Sequence, residues 1–448
     1  MVKINVDFNS TLGRVKPMHA VGQPPFGGGF LSFDFSHMRH LTNARVPYSR
    51  LHDVGGLFGS NRFVDIPNIF RNFDADENDP ASYDFAFTDV LIQAMYEYDL
   101  KPIFRLGVTI ENQAHIKAYY IHPPKDFQKW ARICEHIVRH YNEGWADGYH
   151  YGIEYWEIWN EPENGIGVEN QMWTGTATQF YELYDVTAKH LKACFGNTIK
   201  VGGYGASGLY GLYYEPEKYG IDVPKRERDE RYEKDTYRVE FFHGFLEYIK
   251  SHATPIDFFS WHTYANVEKT LVIDAYIHRK LSEYGYGDLE RQLNEWNNAH
   301  ENRLHGTSYA SAAVAAMMCA MHDSHTEMLC YYDTRLEASA YGGFFAPLTY
   351  EPVCTYYSFY AFGELYALGT RAECRLEGEK MYALAACDGE KKAMLVVNFS
   401  EQSRKVEVNV GEGYDVYLID QTHYVTKTEL CASAFEAEPN GVYLIKNY

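Results

Sequence analysis

The chain has 448 residues, of which 61 are acidic and 41 basic, and it carries a formal net charge of −20. This charge argues against nucleic acid and anionic membranes as partners, because like charges repel. The length is too great for one ordinary domain, but it fits a barrel of about 250 residues or more with a smaller module. An aromatic content of 16% fits either a surface that grips sugars or an aromatic-rich core.

The amino-terminal sequence MVKINVDFNSTLG lacks an apolar stretch of signal-peptide length, and no later segment approaches a membrane span. A cytoplasmic location is therefore expected. The eight cysteines show no CxxC spacing. We expect them to be reduced, buried thiols.

Strand-like and helix-like segments alternate over about 340 residues. Eight strands are predicted, at residues 15–22, 46–52, 102–107, 155–159, 199–203, 256–264, 291–296 and 328–332. One of the amphipathic helices between them follows an N-cap at Asp126, and another ends at a C-cap at Gly196. This order indicates a (β/α)₈ barrel rather than a doubly wound sheet.

Short alternating strands begin at about residue 366 and predict an all-β sandwich of roughly 80 residues. The alternating segment 2–8 is expected to join it. The predicted fold is α/β, with a (β/α)₈ TIM barrel at 13–365 and a C-terminal β-sandwich at 366–448 joined by an amino-terminal strand at 1–12. Two loops, 52–84 and 206–237, are longer than a bare barrel needs. The second is interpreted as a rim of the active site or a subunit contact. The charge run KRERDERYEKD (225–235) is expected to be a solvated loop.

Two glutamates follow predicted strands. The segment YWEIWNEPEN stops at Pro162, which has no backbone N–H for a strand ladder, so Glu161 is held at a strand end. Glu295 ends a later strand in NEWNN. Because the chemistry of parallel barrels lies in the loops after the strands, both carboxylates are expected at one mouth. One can protonate a glycosidic oxygen while the other attacks or activates water, which indicates glycosidic bond hydrolysis.

The sequence lacks the motifs of several other kinds of enzyme. There is no G-x-S-x-G and no Walker motif, and the nearest metal pattern, HDSH (322–325), lacks the i, i+4 spacing of a zinc helix. Gly203, Gly205 and Gly208 form a literal G-x-G-x-x-G, but no helix start follows them. This disfavours a dinucleotide site and favours flexible backbone at a barrel rim. No cofactor and no metal is expected.

Several longer segments occur in a fixed order: YSRLHD (48–53), YDFAFTDVLIQAMYEYDLKPIF (83–104), PPKDFQKWA (123–131), WEIWNEPE (156–163), IDFFSWHTY (256–264), LNEWNN (293–298) and GGFFAPLTYEPVCTYYSFYAFGEL (342–365). With these segments the chain resembles glycoside hydrolase family 39, the β-xylosidase family within the clan of (β/α)₈ retaining glycosidases. The resemblance implies a double displacement with retention at the anomeric carbon. Glu161 would act as acid and then base, and Glu295 as nucleophile.

The resemblance also implies substrate-binding roles. Asn160 matches the family residue that hydrogen-bonds the sugar 2-hydroxyl. His262 and Tyr264, which point the same way from alternate positions of one strand, match a pair beside the nucleophile and the bound sugar. His52, at the end of the second strand, matches a substrate-binding histidine.

Departures from the family surround the predicted pocket. Tyr332 stands where family xylosidases have a tryptophan, and Asp333, Arg335 or Glu337 only loosely fill the acidic positions after the eighth strand. The third strand ends in RLG (105–107) where the family usually has a glutamate. These changes do not alter the predicted type of reaction, but they leave more than one sugar possible as the substrate.

The function predicted is that of a retaining exo-acting glycoside hydrolase on pentosides, with a β-xylosidase as the first choice. An α-L-arabinofuranosidase or another glycosidase on the same scaffold is the alternative, and a catalytically silent carbohydrate-binding protein is the alternative of another class. The expected partner is a small oligosaccharide or glycoside, without nucleic acid or membrane, and the resemblance admits a homo-oligomer.

Three further glutamates near the motif are given structural interpretations. Glu157 shares strand parity with Glu161 but lies about one barrel layer lower, so it is expected to be a buried carboxylate paired with Arg50 or Arg105. Glu154 and Glu163 are expected at the surface or rim.

Overall fold

The computed structural model describes residues 1–28, 33–54, 64–110, 121–336 and 341–448. Glu337, one of the residues considered for the pocket, lies outside these ranges. Among the helices within them, none is long and apolar enough to cross a membrane.

The strands are β1 Val2–Arg14, β2 Ala20–Val21, β3 Gly27–Gly28, β4 Phe33–Asp34, β5 Tyr48–Leu51, β6 Lys101–Leu106, β7 Tyr155–Ile158, β8 Lys200–Ala206, β9 Phe258–Thr263, β10 Glu290–Trp296, β11 Met328–Tyr331, β12 Thr370–Glu377, β13 Met381–Asp388, β14 Lys391–Asn398, β15 Arg404–Val408, β16 Asp415–Ile419, β17 Tyr424–Lys427, β18 Ala434–Ala437 and β19 Val442–Lys446. The α-helices are α1 Arg39–Asn43, α2 Ile66–Ile69, α3 Ala86–Glu97, α4 Phe127–Asn142, α5 Ala177–Phe195, α6 Pro216–Tyr219, α7 Tyr232–Ser251, α8 Val267–Glu283, α9 Ser308–His322 and α10 Cys354–Leu368.

Eight parallel strands close into a barrel in the order β2-β5-β6-β7-β8-β9-β10-β11. Each overlaps one of the eight predicted strands, so the TIM barrel is confirmed. The two predicted helix caps are also present. The Asp126 carboxylate accepts the backbone N–H of Lys129 at 3.0 Å at the start of α4, and Gly196 ends α5 with a φ of 55°.

Alternate side chains of the barrel strands point inward and stack in layers. Tyr155 and Phe258 belong to a small apolar cluster in one layer. Two residues further along the same strands, Glu157 accepts a hydrogen bond from Ser260, and another two residues along β9 comes His262. The barrel interior therefore changes from apolar to polar toward the carboxyl ends of the strands.

The remaining large sheet has the order β17-β16-β19-β14-β13-β12-β1-β15-β18. Strand β1 lies between β12, antiparallel to it, and β15, parallel to it. Val416 and Phe435, from opposite ends of the sheet, share one apolar core, so the sheet curls over on itself. Its other face packs on α9 and α10, and Leu384 and Leu395 belong to the core cluster of the barrel. The barrel with a C-terminal sheet domain is confirmed, whereas the predicted boundaries at 12/13 and 365/366 stay predictions.

Candidate active site

A cavity of about 960 Å³ opens at the carboxyl ends of the barrel strands. All seven site residues named from the sequence line it: His52, Asn160, Glu161, His262, Tyr264, Glu295 and Tyr332. Its volume lies at the upper end of the range of about 300 to 1,000 Å³ that small-molecule sites occupy. The structure thus gathers side chains from five strands and the turns that follow them into one place, and the roles assigned to them are taken up below as proposals.

Arg50, at the end of β5, organises the floor of the cavity. Its Nε donates to Glu157 at 2.7 Å, Nη1 to Glu295 at 3.2 Å and Nη2 to the Asn160 carbonyl at 2.6 Å. Burial opposes the guanidinium charge, but Glu157 and Glu295 outweigh it and raise the pKa of Arg50. The predicted pairing of Glu157 with Arg50 is confirmed. With its carbonyl held by Arg50, the Asn160 amide presents its N–H₂ group to the cavity.

Glu161 lies in a sharp turn after β7. Its φ is 42° and that of Trp159 is 71°, and the Glu161 N–H donates to the carbonyls of Tyr204 and Gly205 of β8 at 3.2 and 3.1 Å. The chain thus leaves the strand ladder just before Pro162, as the sequence predicts. Left-handed backbone is unfavourable for a residue with a Cβ, so the bonds to β8 help to hold this turn.

Gly205 is required by its surroundings. Its φ is 62°, and a Cβ there would lie 3.0 Å from Arg50 Nη2, 3.1 Å from Asn160 Oδ1 and 3.1 Å from His262 Nε2. Any larger residue would push on the polar floor of the site. The interpretation of Gly203 and Gly205 as flexible rim backbone is therefore wrong, because both lie within β8.

Two polar side chains orient the Glu161 carboxylate. The Asn164 amide donates to Oε2 at 2.7 Å, and His262 Nδ1 lies 2.8 Å from Oε1. Asn164 is itself held by Arg238, whose Nη2 donates to its carbonyl at 3.1 Å. Glu161 is thereby fixed from two sides while still lining the cavity.

Glu295 lies opposite. Its Oε1 accepts the Tyr264 hydroxyl at 2.5 Å, its Oε2 accepts Arg50, and His262 Nδ1 lies 3.7 Å from Oε2. One oxygen of Glu161, one oxygen of Glu295 and one nitrogen of His262 all lie within 4.8 Å of one another. The two carboxylates therefore face each other at close range across the imidazole.

Glu161, Glu295 and His262 titrate together. Burial raises the pKa of Glu295; the charge of His262 opposes this rise and that of Glu161 adds to it. Burial also acts to raise the pKa of Glu161, but the hydrogen bond and charge of His262 outweigh it and lower that pKa. The pKa of His262 is raised, since the carboxylates outweigh burial. These directions favour a charged imidazole on His262 beside an ionised Glu161.

A second cluster forms another side of the cavity. The Tyr332 hydroxyl donates to Asp53 at 2.9 Å and accepts from Arg335 at 3.0 Å. His52 Nε2 lies 3.2 Å from Asp53. Burial, followed by the positive charge of Arg50, lowers the pKa of His52 well below its ordinary value, so the ring is neutral.

Glu163 is fully buried, so its expected place at the surface or rim is wrong. Its Oε1 accepts the N–H of Ser207 at 2.7 Å, while Oε2 has no hydrogen-bond partner among the described residues. Burial and the nearby charge of Glu161 raise the pKa of Glu163 to about 8. This raised pKa favours the neutral carboxyl group at neutral pH.

Among the residues that the structure describes, two groups of side chains have donors close enough together to hold a metal ion. One is the triad of Glu161, His262 and Glu295, and the other is Glu135, His190 and Cys194 on α4 and α5. In the second group Glu135 is already paired with Arg139 at 2.8 Å. In the first group, two of the three donors are the carboxylates predicted for glycoside hydrolysis, and the third is His262.

A family model described as glycosyl hydrolases family 39 matches residues 3–323. The chain belongs to this family. A β-xylosidase from Geobacillus stearothermophilus is 24% identical over 243 residues, which are 52% of this family 39 chain and 39% of that protein. The match thus spans well under two thirds of that relative.

Solved structures show the same fold. A glucosidase from Croceicoccus marinus has a TM-score of 0.77 at 22% identity and covers 100% of this chain and 98% of its own. A family 39 β-xylosidase from Caulobacter crescentus has a TM-score of 0.70 at 15% identity, covering 99% of both chains. A family 51 α-L-arabinofuranosidase from Bifidobacterium longum has a TM-score of 0.65 at 10% identity, covering 99% of both.

Sequence reasoning missed residues that orient the carboxylates of this family 39 site. Arg50 was considered only as a partner of Glu157, although its place two residues before His52 puts both side chains on one face of the predicted strand 46–52. Asn164 and Arg238 were not considered. Asn164 follows Glu161 by three residues, the spacing of a turn, but Arg238 comes from α7 and gave no signal in the sequence.

Proposed function

We propose that this chain is a retaining, exo-acting glycoside hydrolase in which Glu161 is the acid and base and Glu295 the nucleophile. The observation that carries the proposal is the approach of the two carboxylates to within 4.8 Å at the ends of β7 and β10. Retaining enzymes hold their carboxyl groups about 5 to 5.5 Å apart, whereas inverting enzymes leave about 6.5 to 9.5 Å for a water molecule. The short separation supports retention.

In the first step, Glu161 donates its proton to the glycosidic oxygen while a Glu295 oxygen attacks the anomeric carbon. The bond to the leaving group breaks, the leaving group departs as an alcohol, and a glycosyl ester forms on Glu295. In the second step, Glu161 removes a proton from water, and the water oxygen displaces Glu295 from the anomeric carbon. Both residues return to their starting states.

The first step requires a proton on Glu161. The hydrogen bond between His262 Nδ1 and Glu161 Oε1 carries one proton, and its transfer to Oε1 leaves a neutral imidazole beside a neutral carboxyl group. A bound sugar that excludes water favours this neutral pair, because buried charges are costly. Glu295 keeps the donors of Arg50 and Tyr264, which stabilise its carboxylate.

The substrate class proposed first is a β-xyloside, and an α-L-arabinofuranoside comes second. Support for the first is membership of family 39 and the two relatives named as β-xylosidases. The second is kept because Tyr332 stands where family xylosidases have a tryptophan, and the acidic positions after the eighth strand are only loosely filled. The relative named as a glucosidase adds glucosides of both anomers to the compounds worth testing.

The test is a screen of aryl glycosides that differ in sugar and anomer, since pocket contacts of about 1 to 3 kcal/mol separate such substrates. Wild type should hydrolyse one pentoside best, and the anomer formed first, followed by NMR, should match the substrate. Glu161→Ala should lose activity and regain it with azide, which needs no general base. Exposed Glu182→Ala is the matched control and should behave as wild type.

Two outcomes would count against the proposal. Inversion of the first-formed anomer would remove Glu295 as nucleophile. Turnover of no glycoside by wild type, together with sugar binding by Glu295→Gln, would favour a catalytically silent carbohydrate-binding protein.

A further inference from the structure

One side of the cavity is basic, although the chain as a whole is acidic. We call it the basic wall and define it by its five cavity-lining cations: Arg226, Arg231, Lys234, Arg238 and Lys269. They come from the loop before α7, from the first turns of α7 and from the start of α8. Against a net charge of −20, five cations on one side of a cavity are a local excess that requires a reason.

Some residues of the charge run 225–235 line the cavity, and the others do not. The run contains five basic and five acidic residues. Three of its basic residues line the cavity, namely Arg226, Arg231 and Lys234. Among the described residues that line the cavity, Asp235 is the acidic one that belongs to this run. The expectation of a solvated loop therefore holds only in part: residues 232–235 begin α7, and three of the run's five basic residues line the cavity, although Arg231 is exposed.

Part of the basic wall is neutralised within the protein. Arg238 lies 3.1 Å from Asp235 and donates to Asn164, and Arg226 pairs with Asp229 and stacks on Tyr214. These contacts explain the positions of Arg226 and Arg238 without a ligand.

The other three cations differ. In the described part of the chain, no carboxylate lies within 4.0 Å of the charged group of Arg231, Lys234 or Lys269. Arg231 and Lys269 are exposed, and Lys269 lies 5.6 Å from the centre of the Tyr213 ring. Lys234 is half-buried, and burial together with the charge of Arg238 lowers its pKa. Asp235 interacts with four of the wall's cations, Arg226, Arg231, Lys234 and Arg238. One carboxylate cannot neutralise four cations, so the wall keeps an excess of positive charge that is complementary to an anion.

The position of the basic wall relative to the carboxylates indicates which part of a substrate it meets. Arg238 holds Asn164, and Asn164 holds Glu161. Glu161 protonates the leaving oxygen under the proposed function, so it lies on the leaving-group side. Glu295, by contrast, is held by Tyr264 and Arg50.

We propose that the basic wall binds an anionic substituent, a carboxylate or a sulfate ester, on the sugar residue of the leaving group. This inference rests on the proposed function, since it names the substrate class of the same site. It assigns the long loop 206–237 to recognition of the leaving group. Arg231, Lys234 and Lys269 would act as specificity residues without contacting the reacting atoms.

The test uses three disaccharides with the same non-reducing sugar, starting with β-xylose, linked to glucose, glucuronate or glucose 6-sulfate. The kcat/KM for the preferred anionic compound should exceed that for the neutral one by about tenfold, the change expected of one partly buried charge contact. Sodium chloride at high concentration should reduce the ratio. The preference between carboxylate and sulfate identifies the anion.

Three single variants, Arg231→Met, Lys234→Met and Lys269→Met, should each lower the ratio of anionic to neutral kcat/KM. Lys405→Met, an exposed change on β15 that also removes one positive charge, is the matched control and should keep the ratio. A wild-type ratio of one or less, or a ratio unchanged in all three variants, would overturn the inference.

Failure of the proposed function gives a different experimental result from failure of this inference. If wild type hydrolyses no aryl glycoside and no disaccharide, the catalytic assignment fails. Calorimetry of the same three disaccharides on Glu295→Gln then decides the inference by binding alone, with tighter binding of an anionic compound supporting it and equal affinities contradicting it.

Discussion

Glu163→Gln should stabilise the barrel increasingly as the pH rises. The Glu163 carboxyl is fully buried, and its pKa is raised to about 8 from an ordinary value of 4.5. The folded protein therefore keeps a proton there that the unfolded chain releases. A carboxyl group with a raised pKa contributes stability below the unfolded pKa, and this contribution is lost as the pH rises through the folded pKa.

The magnitude follows from the size of the shift. Each pKa unit corresponds to about 1.4 kcal/mol, so the wild type should lose on the order of 4 kcal/mol between pH 5 and pH 9 relative to Glu163→Gln. A glutamine can still accept the Ser207 N–H, and it carries no charge at any of these pH values. The two proteins should therefore be similar at pH 5 and differ most at pH 9.

The assay is urea unfolding followed by tryptophan fluorescence at pH 5, 7 and 9. All seven tryptophans lie between residues 130 and 296, within the barrel that holds Glu163, so the signal reports the relevant domain. Glu182→Gln, an exposed change on α5, is the control and should track the wild type. A constant difference between wild type and Glu163→Gln across this pH range would refute the reasoning.

Three other predictions concern residues that hold the two carboxylates. Arg50→Met leaves Glu157 buried without its cation and should lower the free energy of unfolding by about 3 to 5 kcal/mol, measured by urea unfolding; an unchanged value would contradict the central role of Arg50. Tyr264→Phe removes the hydroxyl donor to Glu295 and should lower kcat by about ten- to a hundredfold with less effect on KM, checked by steady-state kinetics. Asn164→Ala should lower kcat by about tenfold for poor leaving groups and less for activated aryl leaving groups, because only the former depend on protonation by Glu161; equal losses would argue against an effect through the acid.

The two proposed catalytic glutamates could be found from the sequence because local rules place them. Pro162 ends the strand before Glu161, and a parallel barrel directs the residues after its strands to one face. The two-residue period of a strand also placed His262 and Tyr264 on one side. These inferences depend on short stretches of chain and on a repeated strand–helix order, so they need no tertiary contacts.

The remaining features depend on which strands and loops meet. Arg50 reaches Glu295 across 245 residues of sequence, and only closure of the barrel determines that it also meets Asn160. Glu163 lies two residues from Glu161, and no local pattern shows that it is buried beneath the loop containing Ser207.

The sequence by itself determined the strand–helix alternation of the barrel, the family motifs and the placement of two glutamates after strands, because each is encoded in the spacing of neighbouring residues. Only the tertiary structure decided the charge states and the shape of the site. Burial and charge pairing depend on distances between segments far apart in the chain, and the run 225–235 illustrates this. Its composition is balanced, and folding alone turned Arg226, Arg231 and Lys234 toward the cavity.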